Sequence, residues 1–157
     1  MSVSIFDSFL TTTEIIDVFD DAAVIQAMLK FEGALARAQA AEGIIPEFAA
    51  QAIAQHCDAQ RYDIPAIVVA SRRAGSMAIP LVKELTKAVA AANPEAAIHV
   101  HWGSTSQDVI DTATVLVTRD ALVQLDATLT HLAGRLLELA EQHLDTPVLA
   151  RTLMQPA

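Results

Sequence analysis

The feature that most constrains how this chain can fold is a long segment with leucines at helical spacing. Residues 105–144 contain one glycine, Gly134, and no proline. Six leucines in this segment alternate steps of three and four, which is the 3.5-residue repeat of a left-handed helical bundle. This leucine seam consists of Leu122, Leu125, Leu129, Leu132, Leu136 and Leu139. We therefore predict one long helix, roughly 60 Å in length at 1.5 Å per residue.

A second apolar set on the same segment widens this face beyond one stripe. It consists of Val117, Ala121, Ala133, Leu137, Ala140 and Leu144. A helix with so broad an apolar face needs more than one neighbouring helix to cover it. We expect those neighbours to be missing from this chain or to come from other subunits.

The first hundred residues predict several shorter helices. Apolar residues step by three and four across residues 21–42, and Gly43 ends that pattern. Three further helices are predicted at residues 47–56, at 64–73 with Asp63 as cap and Gly75 as stop, and at 77–92. No useful period-two run is present, so the predicted fold class is all-α. The one boundary lies near Gly103 and divides the chain into residues 1–103 and 104–157.

The charge and the cysteine content argue against several classes of protein. The formal net charge is −9, and no cluster of Lys and Arg supplies the basic surface that nucleic acids require. No apolar run approaches the roughly 18 residues of a membrane span, and the first residues lack the pattern of a secretory signal. Cys57 is the only cysteine, and the pair His99 and His101 has no further ligands at metal-site spacing. We expect a cytoplasmic protein with no metal, no nucleic-acid partner and no membrane partner.

The start of the long segment carries the residues that say most about chemistry. Ser104 and Gln107 have the spacing of a capping box, in which side chains satisfy the free N–H groups of a helix start. Thr105 and Ser106 add two hydroxyls at the positive end of the helix dipole. Such a helix start can bind a carboxylate. These residues alone leave two interpretations open. The segment is either a carboxylate site or a turn that only caps the helix.

A longer pattern around this helix start resembles a known signature. Residues 101–108, HWGSTSQD, followed by Asp-Thr-Ala at 111–113, are similar to the first signature region of the fumarase/aspartase superfamily, especially its adenylosuccinate lyase and cycloisomerase branches. Residues 151–157, RTLMQPA, resemble the second region, a Thr-x-x-Gln-x-Ala pattern. Segments 31–38 and 78–83 also resemble the cycloisomerase branch. The resemblance implies a short-helix N-terminal region followed by the first long helix of the family's bundle.

The resemblance also implies roles for individual residues. The family adds groups to, or eliminates them from, a carbon next to a carboxylate, through an intermediate with extra negative charge that needs oriented donors. Thr105 and Ser106 would hold a substrate carboxylate, while His101 and Asp108 would be the catalytic residues. The other substrate-binding candidates are Ser104, Gln107, Arg151, Thr152 and Gln155. The candidate countercharges for a small polycarboxylate are Arg151 and, with solvated surface charge as the alternative, Arg72, Arg73 and Lys83.

Leu153 favours one branch of the family. The lyases usually carry a proton-transferring His at this position, and a leucine cannot donate a proton. Lactone opening expels a carboxylate, whose pKa of about 4 makes it a stable anion without such help. The resemblance therefore implies a cycloisomerase, with no cofactor, that lactonises 3-carboxy-cis,cis-muconate in aromatic catabolism. The alternatives are an adenylosuccinate-lyase-like enzyme and a non-catalytic helical assembly module.

The family resemblance implies a homotetramer whose active sites combine residues from different subunits. The family's third signature region, a Gly-Ser-Ser loop that carries the catalytic serine, has no counterpart in residues 1–157. We therefore expect this chain to be an incomplete part of a parent enzyme and to be inactive by itself.

Overall fold

The computed structural model describes residues 10–149, 151–153 and 155–156, with backbone alone at 151, 152, 155 and 156. In this part of the chain the elements are α1 (Thr13–Val18), α2 (Asp21–Ala41), α3 (Glu47–Gln55), a 3-10 helix (Ala59–Arg61), α4 (Ile64–Ala74), α5 (Ala78–Ala92), α6 (Pro94–Ala97), α7 (Ser106–Gln142), β1 (Arg151–Thr152) and β2 (Gln155–Pro156). The predicted all-α fold class is confirmed. Contacts divide the chain into two units, Met1–Ala121 and Leu122–Ala157. The predicted domain boundary near Gly103 stays a prediction.

The predicted helix ends agree with the structure because they depend on local chemistry. In α4 the Asp63 carboxylate accepts a hydrogen bond of 3.0 Å from the Ala66 N–H, and Gly75 ends the helix with a φ of 66°. The short helix α6 was not predicted, because four residues are too few to show a periodic pattern. Its start is capped by Asn93, whose side-chain oxygen accepts from two backbone N–H groups at 3.1 Å.

The core of the first unit is built from α2, α3, α5 and the start of α7. Its fully buried apolar side chains include Met28, Leu29, Ile53, Leu81, Leu85, Val89 and Val109. Helix α7 contributes one buried residue every four positions, namely Val109, Ala113, Val117 and Ala121. The expectation that Val117 and Ala121 are covered only by helices outside the chain was wrong, because Val117 belongs to the first unit's core and Ala121 is only 6% exposed. This packing anchors the start of α7.

Helix α7 continues into the second unit with an apolar surface. The helix has 37 residues, and at 1.5 Å per residue it is about 55 Å long. The side chains of the leucine seam are 44% to 61% exposed. The prediction that this chain does not cover the seam is confirmed for the described residues.

The second unit ends in a hairpin of two strands with two residues each, which was not predicted from the sequence. Strands β1 and β2 pair antiparallel, with Arg151 opposite Pro156 and Thr152 opposite Gln155. Among the helices that the structure describes, none has the length and hydropathy needed to cross a membrane.

Candidate active site

The start of α7 is closed by a capping box between Thr105 and Asp108. The Asp108 Oδ2 atom accepts hydrogen bonds from the Thr105 N–H and from the Thr105 hydroxyl, both at 2.8 Å. The Thr105 hydroxyl oxygen accepts in turn from the Asp108 N–H at 3.4 Å. The predicted box between Ser104 and Gln107 was wrong by one residue, because the helix begins at Ser106 and Thr105 is therefore its N-cap. The Gln107 amide instead donates to Asp111 at 2.6 Å.

Asp108 is held in its ionised form at this helix start. The two hydrogen bonds from Thr105 lower the pKa of Asp108, and a bond from Ser104 and the charge of His101 act in the same direction. A carboxylate of the chain itself therefore occupies part of the anion-binding end of α7. Because Thr105 serves this internal carboxylate, Ser106 is the hydroxyl better placed for a substrate.

The turn that leads into α7 is tied to α2 by two side chains. Gln39 donates from its side-chain amide to the carbonyl oxygen of Trp102 at 2.7 Å. Seven positions earlier, which is two helical turns, Glu32 bonds His101. His101 has a φ of 58°, in the left-handed region that side chains other than glycine rarely adopt. The two bonds from α2 restrain the turn in this conformation.

The ion pair of Glu32 with His101 is the most buried polar contact of the site. Glu32 is 1% exposed, and its Oε1 atom lies 2.7 Å from Nδ1 of His101. The hydrogen bond that His101 donates to the Glu32 carboxylate raises the pKa of His101, against an opposing effect of burial, and the charges of Glu32 and Asp108 raise it further. With Nδ1 engaged, Nε2 is the ring nitrogen left for another partner.

Sequence reasoning missed the role of Glu32, which entered only as part of a segment that resembles the family. The sequence did contain one signal that Glu32 is buried. Glu32 stands four residues after Met28 and four before Ala36, both of which are buried. A charged residue on the apolar stripe of a helix is unusual and calls for a buried partner.

A cleft of about 290 Å³ brings three of these elements together. Lys83 of α5, His101 of the turn and Ser106 of α7 line it, beside the side chains of Ala78, Ile79 and Val82. An ammonium group, an imidazole and a hydroxyl next to an apolar wall suit a small molecule that carries a carboxylate. Of the predicted countercharges whose side chains the structure describes, Lys83 is the one that lies at this cleft.

The predicted site residues fall into two groups. His101, Ser104, Thr105, Ser106, Gln107 and Asp108 lie together in the first unit, at the turn and the first turn of α7. Arg151, Thr152 and Gln155 lie in the second unit, where the structure describes their backbone and not their side chains. Within the described residues no group of three or more His, Cys, Asp or Glu side chains could hold a metal ion.

A family model described as a lyase matches residues 10–157 of this chain. The chain belongs to this lyase family. The predicted resemblance to the fumarase/aspartase superfamily is thereby confirmed.

Two relatives show which members of the lyase family this chain resembles. It is 46% identical over 157 residues to 3-carboxy-cis,cis-muconate cycloisomerase of Pseudomonas putida, covering 100% of this chain and 37% of that protein. It is 48% identical over 133 residues to nitrosuccinate lyase of Streptomyces davaonensis, covering 85% of this chain and 28% of that protein.

The crystal structure of the 3-carboxy-cis,cis-muconate lactonizing enzyme from Pseudomonas putida has a TM-score of 0.92 and 46% identity to this lyase-family chain. The match covers 98% of this chain and 34% of that structure. The chain thus spans about a third of the length of the proteins that it matches.

Proposed function

We propose that this chain is the amino-terminal part of a cycloisomerase that lactonises 3-carboxy-cis,cis-muconate to a carboxymuconolactone, a step of protocatechuate catabolism. The observation that carries the proposal is the 46% identity to the Pseudomonas putida cycloisomerase over all 157 residues. The reaction needs no oxidant and no cofactor, because one carboxylate of the substrate supplies both electrons of the new C–O bond.

The cleft beside α7 suits the charges that this reaction develops. A carboxylate oxygen adds to a carbon–carbon double bond, and the displaced electron pair moves to the carbon beside another carboxylate, which then takes up a proton. The intermediate carries extra negative charge on that carboxylate, so nearby donors and cations lower the barrier. We assign the Ser106 hydroxyl and the His101 imidazole to this carboxylate. Asp108 and Thr105 hold the helix start in place, with Ser104 and Gln107 beside them.

The second signature region supplies further contacts in this proposal. We assign polar contacts with the substrate to Arg151, Thr152 and Gln155. Leu153 cannot deliver a proton to a leaving group, and the lactone's carboxylate does not need one. This residue therefore argues against an adenylosuccinate-lyase-like activity.

A second candidate activity is the elimination of nitrite from nitrosuccinate. The 48% identity to the Streptomyces davaonensis nitrosuccinate lyase supports it. Nitrite, like a carboxylate, is the anion of a weak acid and leaves without protonation. Leu153 therefore does not distinguish this activity from lactonisation.

Substrate competition distinguishes these activities. A protein that extends this chain to the length of its relatives should consume 3-carboxy-cis,cis-muconate in an ultraviolet assay, and should leave nitrosuccinate, adenylosuccinate and argininosuccinate intact. Replacing Thr105 and Ser106 together by Ala should lower kcat/KM by about tenfold or more, which is the loss of one good polar contact. Thr118→Ala, an exposed position farther along α7, is the matched control. Efficient cleavage of any succinate without lactonisation would overturn the proposal.

We further propose that the longer protein is a homotetramer in the cytoplasm, as the family resemblance implies. The exposed leucine seam supports assembly, since a set of six half-exposed leucines favours burial against other helices. If assembly proceeded without any turnover, the alternative of a non-catalytic helical module would be favoured.

A further inference from the structure

Glu32 is a buried carboxylate to which the proposed chemistry assigns no task. It is 1% exposed on the apolar stripe of α2, and its Oε2 atom has no hydrogen-bond partner among the described residues. Such burial is unfavourable unless a partner of opposite charge compensates it. Its partner is His101, 69 positions later in the chain and at the edge of the cleft with Lys83 and Ser106.

We propose that Glu32 is a positioning residue of the active site, which keeps His101 protonated and oriented so that its Nε2–H binds a substrate carboxylate opposite Lys83. The inference rests on the proposed function for the class of its ligand, a small polycarboxylate. It adds two residues, Glu32 and Lys83, to the site that the signature motif identifies.

The geometry around His101 supports the positioning role of Glu32. The bond of 2.7 Å from Nδ1 of His101 to Glu32 fixes the ring plane, so that in the protonated imidazole the Nε2–H is the group free to donate to a ligand. The backbone of His101 is in the left-handed region, a conformation that persists where the surroundings impose it. Glu32 and Gln39 provide that restraint from one face of α2.

The charge of the whole chain makes a local cationic site necessary. A net charge of −9 repels a polycarboxylate in general. At the cleft, an imidazolium at His101 and the ammonium group of Lys83 supply two positive charges. The apolar side chains of Ile79 and Val82 line the same cleft.

Among the described residues, charged or titratable groups lie on both sides of the Glu32–His101 pair. On the side of Glu32 they are Arg37 of α2 and the thiol of Cys57, which stays neutral because burial raises its pKa to about 12. On the side of His101 they are Asp108 of α7 and Lys83 of α5. Glu32 and Asp108 both raise the pKa of His101, and Glu32 has the larger effect through its hydrogen bond.

Titration of the 157-residue chain by NMR tests the inference, with propane-1,2,3-tricarboxylate as an unreactive probe. In the unchanged chain the probe should shift the His101 ring signals, and its affinity should fall as His101 loses its proton. In Glu32→Gln the pKa of His101 should fall below that of the unchanged chain, and the probe should bind about tenfold more weakly or worse. Lys83→Gln should also weaken binding of the probe, while leaving the pKa of His101 close to that in the unchanged chain.

Two matched controls accompany these variants. Lys87→Gln removes a lysine one turn further along α5 that does not line the cleft, and Glu47→Gln removes an exposed glutamate of α3. Both should bind the probe like the unchanged chain. Circular dichroism shows whether Glu32→Gln retains the helical fold; if it does not, the pH profile of the unchanged chain alone decides.

Three outcomes would overturn the inference. They are a folded Glu32→Gln chain with unaltered His101 titration and probe affinity, an unchanged chain whose affinity is constant across the His101 titration, and an unchanged chain that does not bind the probe. The result is distinguishable from failure of the proposed function. Binding by this chain that depends on Glu32, together with no lactonisation by the longer protein, refutes the proposed function alone. Lactonisation by the longer protein, together with binding independent of Glu32, refutes the inference alone.

Discussion

Thr105 shows how one side chain can fix the start of a long helix. Its backbone N–H and hydroxyl both bond Asp108, and its hydroxyl oxygen accepts from the Asp108 backbone. Loss of an N-cap threonine usually lowers stability by about 1 kcal/mol. We therefore expect Thr105→Ala to lower the free energy of unfolding in urea by about that amount. Thr118→Ala, within the same helix and exposed, should change it by less than about 0.5 kcal/mol, and equal losses in both variants would refute the cap.

His101 makes the stability of the first unit depend on pH. Its folded-state pKa is raised above the ordinary value of 6.5. The stabilisation is therefore fully present below a pH of about 6.5 and is lost as the pH rises through the raised folded-state value. Urea unfolding at a series of pH values should show this decline for the unchanged chain. Glu32→Gln should lack most of the decline, Glu47→Gln should retain it, and identical slopes in all three would contradict the assignment.

At the scale of elements, α7 has two parts with different surroundings. Its first four turns bury Val109, Ala113, Val117 and Ala121, whereas the leucine seam that follows is 44% to 61% exposed. Burial of one leucine contributes about 1.5–3 kcal/mol, so six of them favour association strongly. We expect the purified 157-residue chain to form oligomers, as measured by light scattering.

Substitutions on and off the leucine seam test whether the chains associate through the seam. Replacing Leu129 and Leu132 by Gln should shift the chain toward monomer, because both lie on the seam. Replacing Thr128 and Thr130 by Gln alters neighbouring positions off the seam and should leave the oligomer intact. A clean monomer in the unchanged chain would refute the seam argument.

At the scale of the whole molecule, we propose that the chain carries a binding cleft and part of a catalytic site. Lys83, His101 and Ser106 are the proposed anion-binding groups, but lactonisation also needs a group that moves a proton at the carbon beside a carboxylate. The chain matches 37% of the length of the Pseudomonas putida cycloisomerase. We expect residues 1–157 alone to show no measurable consumption of 3-carboxy-cis,cis-muconate. Substantial turnover by the purified chain would show that its own residues suffice.

The sequence by itself determined the local elements and the family. The ends of α2 and α4 follow from an Asp or Gly within a few positions, and such signals act between neighbouring residues. The motif at residues 101–108 identified the helix start as the candidate site for the same reason, because all of its residues are contiguous. The leucine seam likewise appeared as a repeat in a single segment.

Only the tertiary structure decided which distant residues meet at that site. Glu32 and His101 are 69 positions apart, and their contact depends on how α2 packs beside the turn before α7. The same packing sets Lys83 at the cleft with Ser106, and it buries Val117 in the first unit's core. Contacts of this kind are decided by the packing of whole elements, which no local pattern encodes.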